Sequence, residues 1–240
     1  MKQSLLIARR EIYAYLRSPL GAAIVAAVLL VDGLYFYWAG LSRSLLSAEV
    51  LGEFFYGASG MTMIAAVILS MRLIAEERQT GSITLLNTAP VRDVEIVVGK
   101  FLAAYGVIVL MTALTAYMPL LIKVRGVVST GHILVGYAGL LLIGAAATAI
   151  GLFASALARS QVVAAIVGAV ILGVLLLLWM VARAIEPPLK DFLAALALHH
   201  ENFRPFMQGV LELDRIVYYL AVTFFFLLAA TKVVETRRWR

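Results

Sequence analysis

ILVGYAGLLLIGAAATAIGLFASAL, residues 133–157, runs for 25 positions without one charged side chain. A helix rises about 1.5 Å per residue, so roughly 20 residues cross a hydrocarbon core of about 30 Å. Five further apolar runs, at 20–38, 54–71, 101–122, 162–182 and 217–231, follow the same pattern. A water-soluble domain rarely offers even one. Backbone amides in lipid must bond internally, which leaves helix bundles or closed barrels, and barrel strands alternate and are nearer ten residues long. The reading is therefore an all-α membrane protein with six transmembrane helices, a single transmembrane domain over 1–240. The remaining polar segments are short connections, too small for a separate soluble domain.

Composition agrees. Hydrophobic residues make up 63% of the 240, and the mean hydropathy of +0.97 lies well above that of soluble domains. There is no cysteine, which removes disulfides, thiolate metal sites and cysteine nucleophiles. The first run ends in Tyr35-Phe36-Tyr37-Trp38, an interfacial belt rather than a small-residue cleavage site, so the start of the chain is not read as a cleavable signal.

The net charge of +6 is an orientation signal. With both termini placed in the cytoplasm, the inner segments carry 13 Lys and Arg in 61 residues and the outer ones 7 in 59. The positive-inside rule favours that orientation. These basic groups flank spans and do not interleave with aromatics, so no nucleic-acid partner is expected.

Three connections carry information. In residues 2–18, Leu5, Ile12, Tyr13 and Leu16 share one helical face while Arg10 and Glu11 lie away from it. An interfacial helix on the inner surface is expected, with Arg9, Arg10 and Arg17 meeting lipid headgroups or a partner; the plainer alternative is a basic anchor for the first span. Residues 72–100 read RLIAEERQTGSITLLNTAPVRDVEIVVGK. Glu76, Glu77 and Arg78 end the second span, Gly81 permits a turn, Ser82 caps a short helix through Ile83 and Leu86, and Pro90 stops it. The outer connection 183–216 is long and largely apolar, broken by Pro187-Pro188 and Pro205, and is expected to pack on the bundle as a re-entrant-like helical hairpin.

Glu76-Glu77, Gly81, the apolar 83–86, Thr88-Ala89-Pro90-Val91 and Gly99-Lys100-Phe101 together resemble the permease subunit of type-2 ABC exporters. FMQGVLELDRIVYY, at 206–219, is similar to the gliding-motility and copper-site-assembly branches of that family. The resemblance implies a half-transporter in the bacterial cytoplasmic (inner) membrane, paired with a second permease copy or a related one and with two copies of a cytoplasmic ABC ATPase. It places the ATPase-coupling helix at 81–90. Ser82 and Ile83 stand where Thr and Leu or Met are common in the family, and both swaps keep the chemistry.

The residues themselves lead to the same division of labour. Gly99-Lys100 is not a nucleotide loop, because Val94 replaces the first glycine and Phe101 the magnesium-binding hydroxyl. No cofactor is expected on this chain; ATP and magnesium belong to the partner ATPase. Asp32 is the one acidic residue well inside a run, six positions before Trp38. It is a candidate for a substrate path, against packing or interfacial roles. His199-His200-Glu201 lacks metal-ligand spacing and reads as a polar corner, with no metal site expected. An ion-coupled carrier would place several ionisable groups mid-membrane, and an intramembrane enzyme would need a nucleophile and base that are missing. A non-transporting subunit that passes ATPase motion to an extracytoplasmic partner is the alternative, motivated by the apolar outer hairpin.

Overall fold

The computed structural model describes residues 2–42, 46–81 and 91–238. Eleven helices lie within them, among which six are long and apolar enough to cross a membrane. Helix α1 (Lys2–Arg17) turns at the Ser18-Pro19 break into α2 (Pro19–Tyr35), where Ser18 Oγ accepts from the Gly21 amide and Pro19 takes the first helical position. The first span then continues through a π-helical turn, Phe36–Leu41, three residues beyond the expected end at 38. Helix α3 (Ser47–Ser70) runs back and passes through a tight turn into α4 (Ala75–Gln79).

The third span is broken. Helix α5 (Asp93–Leu114) ends at Thr115 and α6 (Tyr117–Arg125) resumes at a slight offset. Pro119 is the cause: it has no amide for the Thr115 carbonyl four residues back, and its ring crowds that carbonyl. Helix α7 (Thr130–Leu157) is the fourth span and α8 (Gln161–Arg183) the fifth. Two short helices, α9 (Leu189–Leu196) and α10 (His200–Met207), form the expected hairpin before α11 (Leu213–Arg238).

Helix α7 is the axis of the bundle. It packs against α3, α5, α8, α10 and α11, and its small residues permit this. Ile108 and Thr62 crowd the position of a side chain at Gly144, Phe55 that at Gly136, and Ser70 that at Gly151. The glycines and alanines of this span thus serve packing within the chain. By contrast, α2, α8 and α11 are mostly exposed to the surroundings, with Leu30, Leu34, Ile166 and Val170 facing outward, as lipid or another chain requires.

The hairpin sits at the opposite end of the bundle from α1. Phe203 and Phe206 of α10 are fully buried against α7. Asn202 is buried beneath them: its amide donates to the Ala195 and Ala197 carbonyls, and its oxygen accepts from Arg215 at 2.9 Å. Tyr219 donates to the Leu198 carbonyl at 2.8 Å. Each polar group in this buried loop has a partner, as a low-dielectric site demands. Helix α9 buries none of its residues and shows Leu189 and Phe192 to the outside.

Gly139 is where the hairpin docks. A side chain there begins 2.6 Å from Phe206 Cβ. Gly139→Val is expected to lift α10 from α7 and destabilise the protein by about 1–3 kcal/mol. Gly173→Ala, with open space around it, is expected to leave the thermal unfolding midpoint in detergent unchanged.

Candidate functional site

The first functional region lies at the α1 end of the bundle. Ser4, Ala8 and Tyr15 are buried positions on one side of α1; Ser4, Ile7, Glu11 and Ile12 meet α5, and Tyr15 reaches Leu69 of α3. Three of the four residues read as the apolar face point the other way, Leu5, Tyr13 and Leu16 being half exposed or more, while Ile12 turns toward Gly106 of α5. That is the arrangement of a helix lying at a lipid interface. Gly99 makes the close approach possible, since a Cβ there would lie 2.8 Å from the Ser4 carbonyl oxygen.

Lys100, next in sequence, is buried, with only 2% of its side chain exposed. Its ammonium lies 2.7 Å from Glu77 Oε1 and 3.4 Å from Glu11 Oε1. One cation therefore joins α1, α4 and the start of α5. Glu77 is not a solvated helix-end charge; it is a largely buried member of this cluster. Glu76 pairs with Arg72 at 2.8 Å, and the Arg72 guanidinium lies over the Tyr15 ring, 5.2 Å from its centre. Tyr15 donates to the Leu69 carbonyl at 2.7 Å, and burial raises its phenol well above the ordinary range, so it stays a donor.

Helix α4 is held from its other side by α7. Ser155 Oγ accepts from the Ile74 and Ala75 amides, both at 3.0 Å, and donates to the Met71 carbonyl. These amides open the short helix and have no helical acceptor of their own. Arg78 then donates to the Ala156 and Ala158 carbonyls at the end of α7. Gly81 follows with φ +74°, a left-handed turn that redirects the chain as it leaves α4. Ser82, Ile83, Leu86 and Pro90 lie outside the described residues. A crevice of about 230 Å³ opens beside α4, lined by Arg10, Glu11, Arg72, Glu76, Glu77 and Lys100 among others. Arg9, Arg10 and Arg17 are all exposed on α1, with Arg9 and Arg17 flanking the Tyr13 ring.

The second region is a cavity of about 470 Å³ near the hairpin end, between α2, α3 and α8. Its wall is apolar and aromatic, with Tyr35, Tyr56, Met61, Ile64, Leu177 and Met180. His199 and His200 close it on the hairpin side. His199 Nε2 is 2.7 Å from Ser59 Oγ, and burial pushes its imidazole down to about 4, with His200 adding to the shift. His200 stacks on Trp179 with ring centres 4.2 Å apart, and the Arg183 guanidinium also lies over Trp179, 4.5 Å from a ring centre. The histidines diverge: one bonds to α3, the other stacks on α8. Among the described residues no three His, Asp or Glu side chains gather as metal ligands would.

Asp32 belongs to neither region. It is 4% exposed and faces into the bundle among Ala58, Thr62, Met111, Thr112 and Leu140. Leu140 is ten residues into α7, so the group lies about 15 Å below that end of the helix. The sequence placed it nearer the surface because the π-helical extension of the first span was not visible there.

The pairing of Glu11 with Lys100, 89 residues apart, leaves no signal in the sequence. The ion cluster makes a direct prediction. Lys100→Met, which strands two carboxylates, is expected to cost about 3–5 kcal/mol of stability. The Lys100→Met, Glu77→Gln double variant is expected to cost less than the sum of the single changes by about 0.5–3 kcal/mol. Thermal unfolding of the four proteins measures this.

A family profile described as ABC-2 family transporter protein matches residues 5–234. The match takes in α1, the ion cluster, all six spans and the hairpin. No curated protein matches the chain. A six-span helical membrane protein matched over nearly its whole length belongs to the ABC-2 transporter family, as the membrane-embedded permease subunit of an ABC transporter.

Proposed function

We propose that this permease is the membrane half of an ATP-driven exporter, moved by two copies of a cytoplasmic ABC ATPase and working beside a second permease copy or a related one. The α1 end faces the cytoplasm in this reading, which the distribution of Lys and Arg supports. ATP and magnesium act in the ATPase. This chain supplies a lever and a path.

The observation that carries the proposal is the fixation of α4. The segment 81–90, the coupling helix of the family resemblance, emerges directly from it. A push on that segment enters α4, and α4 is tied to α1 and α5 through Lys100 and to α7 through Ser155 and Arg78. Rigid ties transmit displacement where a flexible loop would absorb it. The charged crevice beside α4 offers an ATPase surface further hydrogen-bonding and ion-pairing groups. Nucleotide-driven closure would then shift the first, second and fifth spans, whose facing surfaces line the 470 Å³ cavity. The outward faces of α2 and α8, rich in exposed leucine and valine, suit a second permease or lipid.

The exposed apolar face of α9 favours one alternative, a non-transporting subunit that relays ATPase motion to an extracytoplasmic partner. Because the chain has no cysteine, single-cysteine reporters separate the two. With the ATPase bound in lipid vesicles, labelling of Gly60→Cys, on the cavity wall with open space around it, is expected to change about fivefold or more between nucleotide-free and ATP-bound states. Gly81→Val, which strains the turn leaving α4, is expected to abolish that change and leave the assembly intact. A Gly60→Cys rate indifferent to nucleotide, with Phe192→Cys responding instead, would favour the relay.

A further inference from the structure

Asp32 presents a problem of charge. Its Oδ1 is buried and has no hydrogen-bond partner among the described residues. No Lys, Arg or His lines the small cavity it faces. A bare carboxylate at this depth, about 15 Å below the end of α7, is strongly unfavourable in a dry helical bundle. The rest of the molecule shows how this chain handles such charge: Lys100 has two carboxylates, and Arg78 two carbonyls. Asp32 has nothing comparable.

Oxygen-bearing side chains enter this otherwise apolar cavity from three spans. Thr62 of α3, Thr112 of α5 and Thr115 at the Pro119 break line it together with Asp32. The break changes the backbone beside it. The Ala116 amide bonds to the Ala113 carbonyl instead of to Thr112, and the Thr112 carbonyl accepts from the Thr115 hydroxyl at 2.8 Å. That hydroxyl takes up the carbonyl released by the break, so the oxygens left for a ligand here are those of the Asp32 and threonine side chains. The free volume is about 10 Å³, the space of one water molecule or one small ion. Divalent hard cations call for several carboxylates, whereas this cavity offers one negative charge. A single positive charge balances it.

We infer that the cavity between α2, α3, α5 and the Pro119 break is a binding site for one small, oxygen-ligated monovalent cation, a sodium ion or a proton held with one water, with Asp32 as its counter-charge and the Thr62, Thr112 and Thr115 hydroxyls as neutral ligands. Occupancy joins the first, second and third spans at mid-depth, so the site tunes the stiffness of the bundle between the α1 end and the hairpin. The titratable groups that face it are tyrosines: Tyr137 of α7, 3.2 Å from the Thr115 hydroxyl, and Tyr117 of α6, whose hydroxyl lies against Gly33. The α3 and α5 faces contribute threonine and apolar side chains. This inference does not depend on the direction of transport or on the ATPase.

The test uses the full chain in lipid nanodiscs, with thermal unfolding followed in sodium, potassium and choline chloride at equal ionic strength and over a range of pH. A saturable rise of the midpoint with sodium, absent in Asp32→Asn, identifies sodium as the occupant. A midpoint that rises on acidification relative to Asp32→Asn, with no preference for sodium, identifies the proton. Thr112→Val, which keeps the carboxyl group, serves if Asp32→Asn fails to fold. It is expected to raise the half-saturating sodium concentration about tenfold, or to move the acid transition by about one pH unit. A wild-type midpoint that follows neither sodium nor pH beyond what Asp32→Asn shows, or a dependence untouched by Thr112→Val, overturns the site.

Discussion

One buried ammonium organises the end of the molecule on which force would act. Lys100 has almost no contact with the surroundings, and an isolated charge there is costly by several kcal/mol. It is stable only with carboxylates on it, and those come from two different segments, Glu11 of α1 and Glu77 of α4. The requirement works in both directions. The helices must approach for the cation to be matched, and once matched they resist separating, because any opening leaves a buried charge alone. Gly99 and the Ser4, Ala8 side of α1 allow the approach; Lys100 fixes its register.

The rest of the bundle extends this constraint across the membrane. Helix α7 carries it from α4, through Ser155 and Arg78, past the glycines that admit α3 and α5, to Gly139 where the hairpin docks. The rigid centre is thus α3, α5 and α7, while α2, α8 and α11 lie around it with most of their surface outward. A cavity between α2, α3 and α8 therefore has one wall in the closely packed centre and two on its outside. Motion concentrates where contacts are few, and the proposed transport path would draw on that. The Asp32 cavity sits on the boundary between the two parts, with α2 on one side and α3 and α5 on the other.

Much of this was legible in the chain itself, unevenly and for physical reasons. The six spans follow from run length, since nothing but lipid or a buried core tolerates such segments, and an apolar connection such as 183–216 has to pack somewhere. Glu76, Glu77 and Gly99-Lys100 were visible as a constellation, but their relation to Glu11 was not, because an ion pair between residues 11 and 100 leaves no periodic trace. The α1 contact was hidden for a different reason. Leu5, Tyr13 and Leu16 of its apolar side are exposed, so the buried positions Ser4, Ala8 and Tyr15 do not stand out in the sequence as a packing face. The run 101–122 reads as one continuous span, and both its break at Pro119 and the closeness of that break to Asp32 show only in the structure. Ser155 sits among the small residues of α7, and only its contacts with the Ile74 and Ala75 amides mark it as a helix cap.

The central claim is that α1 and α4 move as one body because Lys100 binds them together. Spin labels at Arg10→Cys and Gln79→Cys, both exposed, report the distance between these helices by pulsed electron resonance in the complex with its ATPase. The account predicts one narrow distance distribution that persists from the nucleotide-free to the ATP-bound state and broadens when Lys100→Met is added. A distance that shifts with nucleotide, or one that ignores Lys100→Met, would contradict it.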